Sequence, residues 1–166
     1  MINENNFNEC FGPAVSEFEF TVPADYNNDT QIDTFAKKVK GLNTTYYYND
    51  DLTSKNFPKV TNKLEPGKTY KTEIIPILTT VTCDECINFL EKKNSLLVGG
   101  QGLTLVHDLK KEEFPKSKRT VSFDKKENLW KCSDSGSHRV PLVYAFTGGI
   151  FEFNLGYFGY GCDVSR

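Results

Sequence analysis

The sequence predicts an α+β protein with a mainly antiparallel sheet, two short helices at about residues 31–40 and 83–93, and a C-terminal β-meander. Three observations predict this class. Apolar and polar residues alternate in several short runs, which is the period of a strand, and two other stretches have the apolar spacing of a helix. Aromatic residues make up 13% of the chain, a content that favours strands over helical bundles.

The first part of the chain has the pattern of a strand, a helix and a second strand. In SEFEFTVP, residues 16–23, apolar residues alternate with polar ones, as in a strand with one buried face. TTYYYND, residues 44–50, predicts the second strand, and a loop with a Pro66–Gly67 turn follows it. Between the strands, four apolar residues share one face of a helix that Gly41 ends: Ile32, Phe35, Ala36 and Val39.

The second part predicts a strand over residues 68–78, the helix at 83–93 and an apolar strand over 96–109. Three glycines interrupt this last run, which suggests a bulged strand. Four short β-rich runs then form the meander, and the Gly148–Gly149 dipeptide predicts a hairpin between the last two of them.

A chain of 166 residues suits one domain, or one domain with a small subdomain. We expect a strand–helix–strand subdomain over residues 1–62 and an α+β domain over 63–166, with a single domain over 1–166 as the alternative. Both parts begin with the order strand, helix, strand. They share little sequence, so they are not repeats.

Charge and hydropathy argue against several classes of partner. The net charge of −2 provides no overall attraction to nucleic acid or to an anionic membrane. No segment approaches the roughly 20 apolar residues of a membrane helix, and the polar N-terminus lacks the pattern of a signal peptide, so we expect no membrane partner. The five cysteines are odd in number and scattered, which favours reduced thiols and a cytoplasmic location.

TVTCDECINFLEKKNS, residues 80–95, contains the closest cysteine spacing of the chain. Cys83 and Cys86 could supply half of a zinc site, with Cys132 and His138 as the nearest second pair. A redox dithiol is the other chemical alternative, because a helix start stabilises a thiolate. The acidic residues beside both cysteines oppose thiolate formation and argue against it.

A structural role explains more of this segment. Thr82 and Glu85 have the spacing of a capping box, in which each side chain satisfies a backbone N–H at the start of a helix. The lysines at 92 and 93 complement the C-terminal end of the same helix. We therefore expect structural cysteines, no metal site and no cofactor.

Candidate catalytic groups are few. His107 and Asp108 are adjacent on a predicted strand, so their side chains point to opposite faces. Cys132 and His138 lie in one turn and could form a nucleophile and its base, although the sequence supplies no orienting group. GGQG, residues 99–102, resembles a phosphate-binding loop, but such a loop must lead into the N-terminus of a helix, and here it leads into a predicted strand.

Two polar stretches have alternative interpretations. DYNNDTQID, residues 25–33, spaces oxygen ligands as a calcium loop does, but Thr30 and Ala36 occupy the positions of the required glycine and carboxylate. An Asx-rich loop before the helix is expected instead. Residues 110–126 carry seven Lys or Arg against three acidic residues, an excess that could contact nucleic-acid phosphate.

Consecutive aromatic residues in TTYYYND and LGYFGYGCD provide the candidate binding surface. Neighbouring side chains of a strand point to opposite faces, so some of these rings lie outward unless a helix or loop packs over the second face. Tyrosines flanked by Gly, Asn and Asp offer a large contact area at low entropy cost. The candidate partner-binding residues are Tyr46, Tyr47, Tyr48, Tyr157, Phe158 and Tyr160.

The sequence therefore predicts a small soluble protein that acts by protein–protein contacts rather than by catalysis. The first alternative is a zinc-stabilised nucleic-acid-binding accessory protein that uses Cys83, Cys86, Cys132 and His138. The second is a small hydrolase or transferase built around Cys132 and His138.

Overall fold

A computed structural model describes residues 7–42 and 45–159 of the chain. The α+β class is confirmed, and helices occupy both segments for which the sequence predicts them. The elements in chain order are α1 (Phe7–Cys10), β1 (Ser16–Thr21), α2 (Gln31–Lys40), β2 (Tyr46–Tyr48), β3 (Thr69–Ile74), α3 (Cys83–Lys92), α4 (Gly99–Lys110), β4 (Lys118–Val121), β5 (Trp130–Lys131), β6 (His138–Ala145) and β7 (Phe151–Tyr157).

The strands form two sheets. β1 and β3 make a two-stranded antiparallel sheet, and the other strands make a five-stranded sheet in the order β2-β7-β6-β4, with β5 also paired to β6. All pairs are antiparallel except β2 with β7. Both β1–β3 and β2–β7 join the part of the chain before residue 62 to the part after it, and the predicted division at that position stays a prediction.

The segment 96–109 is not a strand, and that prediction is wrong: Gly99–Lys110 form helix α4. The helix is buried on nearly all sides over its first turns, so no polar face marks the helical period in the sequence. Its glycines permit close packing. A Cβ atom at Gly100 would lie 3.1 Å from Ile32 of α2, and one at Gly102 would overlap the Val98 side chain.

The five-stranded sheet separates two groups of buried side chains. Alternation along β6 sends Val143 to the face covered by α2 and α4, where it joins the larger core. Val140 faces the other way and packs in a second core with Cys83, Cys86 and Ile87 of α3. Helix α3 thus covers one end of the second face of the sheet.

No helix in the described part of the chain combines the length and apolar character that are needed to cross a bilayer.

The predicted capping box at the start of α3 is confirmed. The Thr82 hydroxyl accepts a hydrogen bond from the Glu85 backbone N–H at 3.2 Å, and the Glu85 carboxylate accepts one from the Thr82 N–H at 2.9 Å. We expect Thr82→Ala to lower the free energy of unfolding by about 1 kcal/mol, because it leaves an N–H of the first turn without its acceptor. Urea denaturation followed by the fluorescence of Trp130, the single tryptophan, measures this. The exposed Thr80→Ala is the control, and equal losses in both variants would contradict the prediction.

Candidate binding surface

The three consecutive tyrosines of β2 point to two different faces. Tyr46 and Tyr48 are half-buried and pack on Phe153 of β7, at ring-centroid distances of 6.4 and 5.8 Å. The Tyr48 hydroxyl donates to the carbonyl oxygen of Leu52, and burial raises the pKa of this phenol. Tyr47 points the other way and is 64% exposed. Tyr47 is therefore the residue of this cluster that a partner can reach.

The C-terminal aromatic cluster lies elsewhere. Tyr157 is 49% exposed and carries the Arg139 guanidinium 3.7 Å from its ring centroid, whereas Phe158 is buried. Tyr160 lies outside the described residues. On β7, Tyr157 is five positions after Glu152, the residue that pairs with Tyr47, so the two tyrosines point to opposite faces about 17 Å apart along the strand. Tyr47 and Tyr157 therefore do not share one surface.

Tyr47 belongs to a row of side chains that crosses the sheet. It pairs with Glu152 of β7, Glu152 pairs with Tyr144 of β6, and Tyr144 pairs with Arg119 of β4. Phe146 follows β6 directly and is 36% exposed. Its ring meets the Tyr144 ring edge-on, with 4.4 Å between the ring centroids. We call this half of the second sheet face the open face; it consists of Tyr47, Asn49, Arg119, Leu142, Tyr144, Phe146, Glu152 and Asn154.

A chain of hydrogen bonds holds the polar residues of the open face in place. The Asn49 side-chain amide donates to Asn154 Oδ1 at 3.0 Å, and Asn154 Nδ2 donates to the Glu152 carboxylate at 2.8 Å. The same Asn154 oxygen also accepts the backbone N–H of Leu155 at 2.8 Å. The carboxylate of Glu152 is thereby held between Tyr47 on β2 and Tyr144 on β6. The open face offers aromatic rings, one acid and one base on a rigid sheet.

Tyr144 and Phe146 were not predicted to be surface residues. The signal that could have found them is the alternation in HRVPLVYAF, where Val143 and Ala145 are buried and the two rings occupy the positions between and after them. Local alternation does not tell which face of a strand is covered. That depends on α2 and α4, which pack on the face of Val143.

The proposed zinc ligands do not form a metal site. Cys83 and Cys86 are 0% and 2% exposed and belong to the core under α3, whereas Cys132 and His138 lie at the β5–β6 hairpin. Within residues 7–42 and 45–159, no three or more His, Cys, Asp or Glu side chains are placed to hold a metal ion. The cysteines of the second core instead pack as small apolar side chains.

The Cys132 thiol lies in the turn between β5 and β6. Hydrogen bonds from the backbone and side chain of Ser135, and from the backbone of Asp134, lower its pKa, with a contribution from Arg139. His138 is not among the groups that lower it. Partial burial and the neighbouring lysines 126 and 131 lower the pKa of His138 itself. The turn therefore stabilises a thiolate without the imidazole that the predicted nucleophile–base pair requires.

His107 is buried in an aromatic cage and is inaccessible to a substrate. Its side chain is 0% exposed, and neither ring nitrogen has a hydrogen-bond partner in the described part of the chain. Burial, with the charges of Lys111 and Lys116, lowers its pKa from 6.5 to about 3. The surrounding rings, at centroid distances of 4.5 to 5.9 Å, are Phe35, Tyr46, Phe114, Phe151 and Phe153.

The glycine segment 99–102 does begin a helix, but its N-terminus is already occupied. Gln101 is buried and donates to the carbonyl oxygen of Phe57 at 2.6 Å. A carboxylate oxygen of Asp124 lies 3.2 Å from the position of a Cβ at Gly99. This carboxylate supplies the negative charge that the helix N-terminus attracts, and it takes the position that a bound phosphate would need.

The remaining two alternatives also lose support. Asp29, in the loop proposed for calcium, accepts a hydrogen bond from the Lys63 ammonium at 2.9 Å beside an open depression of about 420 Å³. A bound ammonium competes with a cation for this oxygen. In the basic segment, Phe114 and Phe123 are 3% and 7% exposed, so neither ring can stack on a nucleic-acid base.

The chain matches no protein-family model, no curated protein and no solved structure. Among the described residues, Tyr47 of the open face has the most exposed aromatic side chain.

Proposed function

We propose that this protein acts by binding another protein through the open face. The observation that carries the proposal is the 64% exposure of Tyr47 one strand away from the positioned Glu152 and two strands from the Tyr144–Phe146 ring pair. A tyrosine held in a sheet contributes a large contact area and loses little side-chain entropy on binding. Aromatic residues and arginine also dominate the binding energy of protein interfaces.

The proposed contact surface contains one of the six aromatic residues that the sequence analysis selected, Tyr47. Tyr46 and Tyr48 pack against the larger core on the other face of the sheet, and Phe158 is buried in the second core under α3. Tyr157 is exposed but lies on a different surface, so it serves as a matched control rather than as part of the proposed contact.

We expect Tyr47→Ala and Phe146→Ala each to weaken partner binding at least tenfold. The thermal unfolding temperature should stay within about 2 °C of wild type, because an exposed ring contributes contact area to binding but little to the stability of the fold. The full chain serves as bait, the captured protein is purified, and its affinity for each variant is measured by calorimetry. Tyr157→Ala is expected to bind like wild type. Equal affinities of wild type, Tyr47→Ala and Phe146→Ala would remove the open face from the proposed function.

We also propose a cytoplasmic location. Cys10, Cys86 and Cys132 are free thiols, and Cys10 and Cys86 are buried. Reduced thiols of this kind are typical of a reducing compartment. Cells are denatured in the presence of an alkylating reagent, and the protein is examined by mass spectrometry. Reduced cysteines are then labelled, as we expect, whereas labelling of none of the cysteines would contradict the proposed location.

A further inference from the structure

The open face carries a pattern that complements itself. From one edge of the sheet to the other, the row is Tyr47, Glu152, Tyr144 and Arg119, with neighbouring strands about 4.8 Å apart. Each aromatic ring of the row is followed by a charged side chain, and the two charges are opposite. A surface with this order can satisfy a second copy of itself.

We propose, building on the function proposed above, that the protein bound at the open face is a second copy of this chain. A two-fold axis parallel to the strands, between β7 and β6, places Tyr47 of one protomer against the partner's Arg119. The same axis places Glu152 against the partner's Tyr144. The first contact sets a guanidinium over an aromatic ring, and the second sets a phenol hydroxyl against a carboxylate. Both contacts occur twice, as a two-fold interface requires.

The charged residues favour this axis over a two-fold axis that runs perpendicular to the strands. Within one protomer, Glu152 and Arg119 are two strands apart, about 9.6 Å. Across the proposed interface, Glu152 is displaced by a single strand from the partner's Arg119, and the two side chains extend toward each other from facing sheets. A two-fold axis perpendicular to the strands would instead place each charge against its own copy, and like charges in contact are unfavourable.

The size of the open face sets the strength to be expected. Four strands and about three rows of side chains cover roughly 20 by 15 Å, which is well below the ~800 Å² that each partner buries in a standard interface. The low net charge of −2 does not oppose association of identical chains. We therefore expect a weak dimer that forms at micromolar or higher concentrations.

Sedimentation velocity of the full chain from about 10 to 500 µM tests the proposal. We expect wild type to shift from monomer to dimer over this range. Arg119→Glu and Glu152→Arg should each weaken dimerisation at least tenfold, because each places two like charges side by side across the interface. The double variant should restore the dimer, since it exchanges the two charges. Lys118→Glu is the matched control, because this exposed neighbour on β4 points to the other face of the sheet.

The outcomes separate this inference from the function on which it rests. A chain that stays monomeric at every concentration, while a different protein is captured in a Tyr47-dependent way, overturns the self-association and leaves the binding function in place. A dimer that is indifferent to both single charge changes, or that the double variant does not restore, contradicts the proposed pairing. Circular dichroism identifies any unfolded variant, and Arg119→Gln and Glu152→Gln then replace it, with a smaller weakening expected.

Discussion

Replacement of Asp124 by alanine is expected to lower the free energy of unfolding by about 3 kcal/mol. The side chain is 2% exposed, and its carboxylate accepts the backbone N–H groups of Thr61 at 3.2 Å and Lys125 at 2.7 Å. It also accepts the Thr61 hydroxyl and the Asn128 amide. The alanine variant leaves these partly buried donors without their acceptor. It also removes the negative charge beside the start of α4, which has no capping side chain of its own.

Urea denaturation followed by Trp130 fluorescence measures this loss. Asp124→Asn keeps the shape but loses the charge, and we expect a smaller loss for it. Asp50→Ala makes the same chemical change at a side chain that is 90% exposed and paired with Lys40, so we expect little or no loss of stability. A similar loss of stability in the Asp124 and Asp50 alanine variants would show that the hydrogen bonds of Asp124 to Thr61 and Asn128 contribute little to the free energy of unfolding.

Lowering the pH from 7 to 5 is expected to remove about 2 kcal/mol of stability through His107 alone. The folded state holds the pKa of this imidazole at about 3, below its ordinary value of 6.5, because protonation would place a charge inside an aromatic cage. The unfolded chain therefore binds more protons than the folded protein between these two values. This contribution to stability is complete above pH 6.5 and decreases by about 1.4 kcal/mol per pH unit between 6.5 and 3.

The variant His107→Leu isolates this effect. It removes the titrating group and fills the cage with an apolar side chain of similar volume, so we expect stability at pH 7 equal to or above that of wild type. The stability difference between pH 7 and pH 5 should shrink by about 2 kcal/mol. His138→Gln is the control, because the other histidine is only half-buried. An unchanged pH dependence in His107→Leu would mean that the folded protein accommodates the charged imidazole.

Local sequence patterns predicted the elements whose stability is local. The face formed by Ile32, Phe35 and Val39 predicted α2, and Thr82 with Glu85 predicted the start of α3, because capping and amphipathic spacing act within one helix. Helix α4 escaped prediction for the opposite reason. Its glycines have low helix propensity and are accepted because neighbours such as Ile32 and Val98 pack where a side chain would be.

The candidate surface was predictable only in part. Consecutive tyrosines require that some ring of β2 faces away from the core, and Tyr47 does so. Which neighbours share its face depends on strand order, and the parallel pairing of β2 with β7 leaves no local mark in either strand. For this reason Tyr144, Phe146 and Arg119 could not be joined to Tyr47 from the sequence, although they lie within three strands of it.

The parallel pairing of β2 with β7 also bears on biosynthesis. Phe35, Tyr46 and Tyr48 emerge from the ribosome before Phe153, the ring on which all three pack, which is made more than 100 residues later. Until then, the nascent chain presents these rings to its surroundings. We expect chaperones to engage this early segment, and folding to be completed only after the last described strand has been released.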